Sequence, residues 1–327
     1  MANLTQFGND LYTGKKSFDF VGKYRIWYTI SIIFMAASLV VPLVNGFNFG
    51  IEFRGGSQFQ ITESATTEQQ PAIDAVQSVV PDQVAHVTTV GSSGLRVQTE
   101  ELSDDETNRV ADALATAYDV PAADVTASFI GPSWGADITS QAVRALIVFL
   151  ALAVIMMALY FRTWKMSIAA LLSLVNVLVL TAGVYAATGF EVTPGAIIGF
   201  LTILGFALYD TVVVFDKVRE NTGELGPDSR QTFGEAVNLA VNQTLVRSIN
   251  TAVVAALPVA AILFIGSFVL GADTLRDISL ALLVGIVVGV GSTVFLGAPI
   301  YAQLRGMEPE IKKQTERALA LRATTVE

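Results

Sequence analysis

The chain has 327 residues, 52% of them apolar and only 15% charged, a balance that excludes an ordinary soluble globular domain. It has no cysteine, which excludes disulfides and thiolate metal sites, and one histidine, His86, which argues against a histidine-built metal centre. The net charge of −9 is unevenly spread, so its distribution says more than its sum.

In chain order, residues 1–24 form a basic segment with Lys15, Lys16 and Lys23, and Arg25 follows it. Residues 25–45 are the first of six apolar runs, too late and too long for a cleaved signal peptide. The other five are 139–160, 167–188, 195–216, 240–265 and 277–300, each long enough for a bilayer core of about 30 Å. Lys and Arg flank the runs on one side: Arg162 and Lys165 in a short turn, Lys217, Arg219 and Arg230 in the loop 217–239, and five more in the tail 301–327. The positive-inside rule makes those segments and both termini cytoplasmic and puts 46–138 outside, in a multi-pass protein of the plasma membrane.

Segment 46–138 carries three basic residues against fourteen acidic ones, so much of the acidity lies outside. Its stretches alternate in type. IEFRGGSQFQI (51–61) reads as a strand with a glycine interruption. TTEQQPAIDAVQSVV (66–80) reads as a helix with Ile73, Val76 and Val80 on one face. QVAHVTTV (83–90) and LRVQTEEL (95–102) flank Gly91-Ser92-Ser93-Gly94 as a hairpin, with His86 as an ordinary strand residue. Ser103 and Glu106 have capping-box spacing and open a helix to about Tyr118, with Val110, Leu114 and Ala117 inside. ADVTASFIG (123–131) is the last strand. The order β-α-β-β-α-β predicts a ferredoxin-like α+β domain on an all-α six-helix membrane bundle, 139–300 holding the last five spans. GPSWG (131–135) joins the two, either as a hinge or as a plain connector.

Asp210 lies in ALYDTVVVFD (207–216), six residues before Asp216, inside the bilayer on its inner half. An aspartate near a helix centre costs about 2.5–3.5 kcal/mol on insertion scales, and such residues normally face a bundle interior on an ion or proton route. Arg247, at similar depth in the next span, is an available counter-ion that stays protonated. Two readings follow for the pair Asp210 and Arg247, a proton-coupling site or a static pair that locks two helices, beside a third in which Asp210 faces water near the interface. Asn176, Asn250 and Thr251 are candidates for a polar path or for bonds between helices. Gly195/Gly199 and Gly285/Gly289 have GxxxG spacing for close helix approach, and Pro258 can kink the fifth span. No nucleophile–base pair, metal cluster or phosphate loop stands outside the membrane, so an enzyme is not expected, nor is a cofactor.

SFDFVGK (17–23), NFGIEFRGGSQFQI (48–61), and DTVVVFDKVREN (210–221) with NQTLVRSINT (242–251) resemble the SecF branch of the SecD/SecF family, with an actinobacterial look. The likeness runs over nearly the whole chain. It implies an RND-like bundle that helps protein export, driven by the proton motive force, with protons as coupling ion and Asp210 and Arg247 as the functional pair. It implies as partners SecD, the SecYEG channel, a YajC-like protein and the translocating polypeptide, with membrane lipids and no nucleic acid. Glu52 stands where the family commonly has Asp, and Ala207 where a Ser is common three residues before the key aspartate. The alternatives from the residues alone are an RND-like half-transporter for a lipid or small molecule and a scaffold subunit without ion coupling.

Overall fold

The structure, a computed structural model, describes residues 2–91, 93–226, 228–268 and 273–323. Among the described residues six helices are long and apolar enough to cross a membrane: Tyr24–Asn45, Trp134–Phe161, Trp164–Thr188, Pro194–Gly223, Phe233–Gly266 and Thr274–Gly306. An α+β domain stands between the first and second, which is the expected class.

The chain begins with α1 (Ala2–Tyr12), runs through an extended strap and enters α2 (Tyr24–Asn45), the first span. The strap is fastened by two side chains of α9 (Phe233–Phe268), the fifth span. Asn238 and Asn242, four residues apart, share a helix face. Asn242 Oδ1 accepts the Phe18 N–H at 2.7 Å and its Nδ2 donates to the Phe18 carbonyl at 2.9 Å. Asn238 Oδ1 accepts the Phe20 N–H at 2.8 Å. The amides thus give a segment without secondary structure the backbone partners it lacks.

The α+β domain follows as α3 (Ile51–Arg54), β1 (Gly56–Ile61), α4 (Gln70–Val79), β2 (His86–Val90), β3 (Gly94–Thr99), α5 (Asp104–Tyr118) and β4 (Val125–Ile130). The sheet is antiparallel in order β2-β3-β1-β4, the ferredoxin-like arrangement. One sheet face, with Phe59, Ile61, Leu95 and Val97, packs under Val76, Val110 and Leu114 of the helices. Ser103 and Glu106 form the capping box. Three details differ from expectation. Residues 51–54 are a turn of helix, which Gly55 at φ 77° ends before Gly56, at φ 134°, opens the strand. Ile73 is only half-buried while Ala72 and Ala75 are inside, and Ala117 is exposed while Tyr118 is buried.

The remaining spans are α6 (Pro132–Phe161), α7 (Trp164–Thr188), α8 (Pro194–Gly223), α9 and α10 (Asp273–Ser292). The last continues through a π-helical turn, Thr293–Gly297, into α11 (Ala298–Gly306), and α12 (Pro309–Ala323) closes the chain. GPSWG is not a loop. Gly131 caps α6, whose first turn is made by the other four residues, and a Cβ on Gly135 would sit 2.5 Å from the Phe53 carbonyl oxygen. The joint is a tight docking of α6 against α3. The tail residues 309–323 form a helix tied back to the bundle, where Arg322 grips the Glu235 carboxylate with both terminal nitrogens.

The two GxxxG pairs meet in one contact. A Cβ on Gly199 would lie 2.6 Å from the Ala281 Cβ, one on Gly285 would overlap Ile203, and Gly289 faces Ala207 at 3.5 Å. Helices α8 and α10 therefore approach to backbone distance along their length. Ala207, 1% exposed, sits in this seam, a packing position.

Candidate functional site

Four helices supply a polar layer at the bundle centre. Asn176 comes from α7, Asp210 and Thr211 from α8, Ser248 from α9, and Ser292 and Thr293 from the end of α10 and its π-helical turn. All are buried, Asp210 with 4% of its surface exposed. The Ser248 hydroxyl donates to Asp210 Oδ1 at 2.6 Å, while Oδ2 is buried without a hydrogen-bond partner. Thr211 and Thr293 share a hydrogen bond at 3.0 Å, and Asn176 Nδ2 donates to Ser292 Oγ at 2.8 Å, its own Oδ1 unpartnered. The π turn adds a residue to the helical turn at this level, and such turns recur at functional sites.

Arg247 is exposed and makes no ion pair with Asp210 among the described residues. Successive residues of a helix point about 100° apart, so only one of Arg247 and Ser248 can face α8, and it is Ser248. Of the three polar-path candidates, Asn176 is in the layer, Asn250 is exposed and Thr251 is half-buried. Sequence reasoning did not single out Thr211, Ser248, Ser292 or Thr293. Two of them directly follow the singled-out residues, Thr211 after Asp210 and Ser248 after Arg247. A carboxyl held at one oxygen and open at the other can gain or lose a proton at Oδ2 while keeping its bond to Ser248.

A second polar cluster joins the α+β domain to the ends of the spans that lie against it. Arg96 on β3 pairs with Glu191 of the α7–α8 turn at 3.6 Å, both side chains 10% exposed, and Gln98 Nε2 donates to Glu191 at 3.2 Å. Thr193 donates to Asp277 Oδ2 at 2.8 Å, and Arg276 reaches the other oxygen at 3.4 Å. Glu52 of α3 brings a third carboxylate, its Oε2 buried and unpartnered. Burial pushes the Glu52 carboxyl above the usual range. A backbone hydrogen bond and Arg96 oppose this, and the charges of Glu191 and Asp277 add to it. The folded form therefore binds this proton more tightly than the unfolded chain does. The stabilisation is full below the ordinary carboxylate pKa and is lost as pH rises through the raised one. Glu52→Gln should stabilise the docked domain at neutral pH and flatten that slope, read as unfolding temperature against pH. An unchanged slope would mean that Glu52 is not the titrating group. Glu191→Gln should weaken the docking by about 1–3 kcal/mol, through loss of charged hydrogen bonds. His86 lies exposed on β2 opposite Gln98, outside the cluster's bonds.

Comparison with known proteins fits both the bundle and the joint. The family model "Protein export membrane protein SecD/SecF, C-terminal" matches residues 110–307, and the "SecD/SecF GG Motif" model matches 40–62. Protein translocase subunit SecF of Streptomyces coelicolor is 42% identical over 99% of this chain and 86% of its own length. Its counterpart in Mycobacterium tuberculosis H37Rv is 38% identical over 97% and 73%. The crystal structure of SecDF from Thermus thermophilus, described as a translocon-associated membrane protein, superposes with a TM-score of 0.77 at 28% identity. It covers 89% of this chain, which spans only 39% of that longer one. The chain belongs to the SecD/SecF family of protein export membrane proteins.

Proposed function

We propose that this chain is a SecF-type subunit of Sec-pathway protein export and that it uses the proton motive force through Asp210 to help polypeptides across the plasma membrane. The observation that carries the reading is the Asp210 carboxyl, buried among four helices, bonded at one oxygen to Ser248 and unpartnered at the other. A proton crossing 100 mV releases about 2.3 kcal/mol. A hydrogen bond to a charged group contributes about 1.5–3 kcal/mol. One proton is therefore enough to make or break the Ser248–Asp210 contact, though not to unfold a cargo protein.

In this reading protonation at Oδ2 removes the attraction of Arg247 for the carboxyl, α8 and α9 shift, and the shift reaches the outer domain. Transmission runs through rigid contacts, α3 against the start of α6 and Glu191 against Arg96, rather than through a flexible joint. The relatives named SecDF carry a SecD part in the same chain, which supports a SecD-type partner here. SecYEG and a YajC-like protein are the further partners of this reading. The basic flanks support cytoplasmic termini and an outward-facing 46–138.

Completion of export of a reporter polypeptide in membrane vesicles, measured with and without a proton ionophore, tests the reading. The rate should fall when the gradient collapses. A rate indifferent to the ionophore in vesicles that need this subunit would leave a scaffold role.

A further inference from the structure

A cavity of about 260 Å³ lies at the end of the bundle assigned to the cytoplasm, away from the polar layer. Arg219 of α8, Arg305 of α11 and Gln314 of α12 line it, with Phe233, Tyr301 and Ile311 among its apolar walls. No carboxylate lines it among the described residues. Glu308, the acid next to α11, is already held by two cations, Lys165 at 2.9 Å and Arg305 Nη1 at 2.5 Å. Arg219 is exposed, reaches the Tyr160 carbonyl at 3.4 Å and pairs with no carboxylate among the described residues. The lining thus carries two cations and no anion among the described residues.

Two buried polar atoms at this cavity have no partner. Arg305 Nε carries an N–H with no acceptor. Gln314 donates through Nε2 to the Gln231 carbonyl at 2.8 Å, which leaves its Oε1 without a donor. Each such group ordinarily finds a partner, because leaving it unmade costs free energy. An anion answers the guanidinium groups and a hydroxyl answers the amide oxygen. A phosphate ester with a free hydroxyl supplies both, and guanidinium is the side chain suited to phosphate. The volume is below the 300–1,000 Å³ or so typical of drug-sized ligands, so it admits a head group and not acyl chains. A basic pocket among spans on the cytoplasmic side has the character of an anionic-lipid site.

We propose that this cavity binds a hydroxyl-bearing phosphate ester, with the phosphoryl group on Arg219 and Arg305 and the hydroxyl on Gln314. The chemistry is that of a phosphatidylglycerol head group in the inner leaflet or of free glycerol phosphate. The test is thermal unfolding of the full chain in phosphatidylcholine nanodiscs, titrated either with phosphatidylglycerol or with soluble glycerol 3-phosphate. Stabilisation should be saturable. Arg219→Gln and Gln314→Leu should each weaken the apparent affinity about tenfold, and Lys313→Gln, a basic neighbour outside this cavity's lining, should not. Arg219 is the primary probe, because Arg305→Gln also disturbs the bond to Glu308. A response to phosphatidylglycerol alone identifies a lipid, and an equal response to glycerol 3-phosphate identifies a soluble ligand. Either supports the site. No stabilisation by either ligand, equal weakening by Lys313→Gln, or titrations unaltered by both Arg219→Gln and Gln314→Leu would overturn it.

Discussion

Asp210→Asn is expected to abolish the gradient-dependent part of late export, by at least an order of magnitude, while insertion and partner binding persist. Asparagine has nearly the shape of aspartate and keeps an acceptor for the Ser248 hydroxyl, so the 2.6 Å contact and the packing around it survive. What disappears is the ability to take up and release a proton. The substitution also removes a potential charge from a buried layer, so it should not destabilise the bundle. Ser248→Ala retains the titrating group but removes its donor, so coupling should weaken and its pH dependence shift without vanishing. Arg247→Gln separates the two sequence readings. With no ion pair to break, it should change stability by less than about 0.5 kcal/mol, as substitutions away from buried contacts usually do. It should nevertheless reduce coupling if the cation acts through space. Asp210→Asn with wild-type dependence on the gradient would remove the proton-coupling proposal outright.

Gly285→Val should be the most damaging change of packing, with loss of unfolding temperature corresponding to about 1–3 kcal/mol or more. The α8–α10 seam leaves no room for a side chain there, since even a Cβ would overlap Ile203. The helices must separate, and that lifts Gly289 off Ala207 and disturbs the adjoining layer at Thr211 and Thr293. The loss should therefore reach beyond stability to coupling. Shortening the partner provides the check: Ile203→Ala combined with Gly285→Ala should recover much of what Gly285→Ala alone loses. Failure of that rescue would place the origin of the damage outside the seam. By contrast, Gly205→Ala on α8 meets nothing within 4 Å and should be close to neutral.

Much of this was legible because the signals are local. Apolar length and the lysine–arginine flanks gave the spans. The Ser103–Glu106 cap, being a contact between residues three apart, could be read without knowing the fold. Asp210 stood out because a carboxylate among Leu, Val and Phe has no other local explanation. What could not be read depends on which way a helix turns. Arg247 carries the conspicuous charge, yet its neighbour Ser248 faces the carboxyl, a difference of 100° that only packing decides. The Thr211–Thr293 bond needs a π turn for which the sequence carries no recognised mark. At 51–54 the alternation pointed to a strand, but consecutive glycines at positive φ end the run as a turn of helix. The GPSWG stretch has loop composition, yet Gly135 is there so that one helix can slide beneath another's carbonyls.

The asparagine fastening of the strap makes a fulcrum of the inner end of α9. Asn242 is six residues from Ser248 and 24 from Gly266, so the whole arm from pin to tip is about four times the arm up to the carboxyl contact. A tilt about that pin which stretches the Ser248–Asp210 contact by ~1 Å would sweep the far tip through ~4 Å, before any hinge is invoked. In the proposed coupling, a chemical event of bond-length size at the centre would thus reach the far end of the span as a larger displacement, at a proportional loss of force.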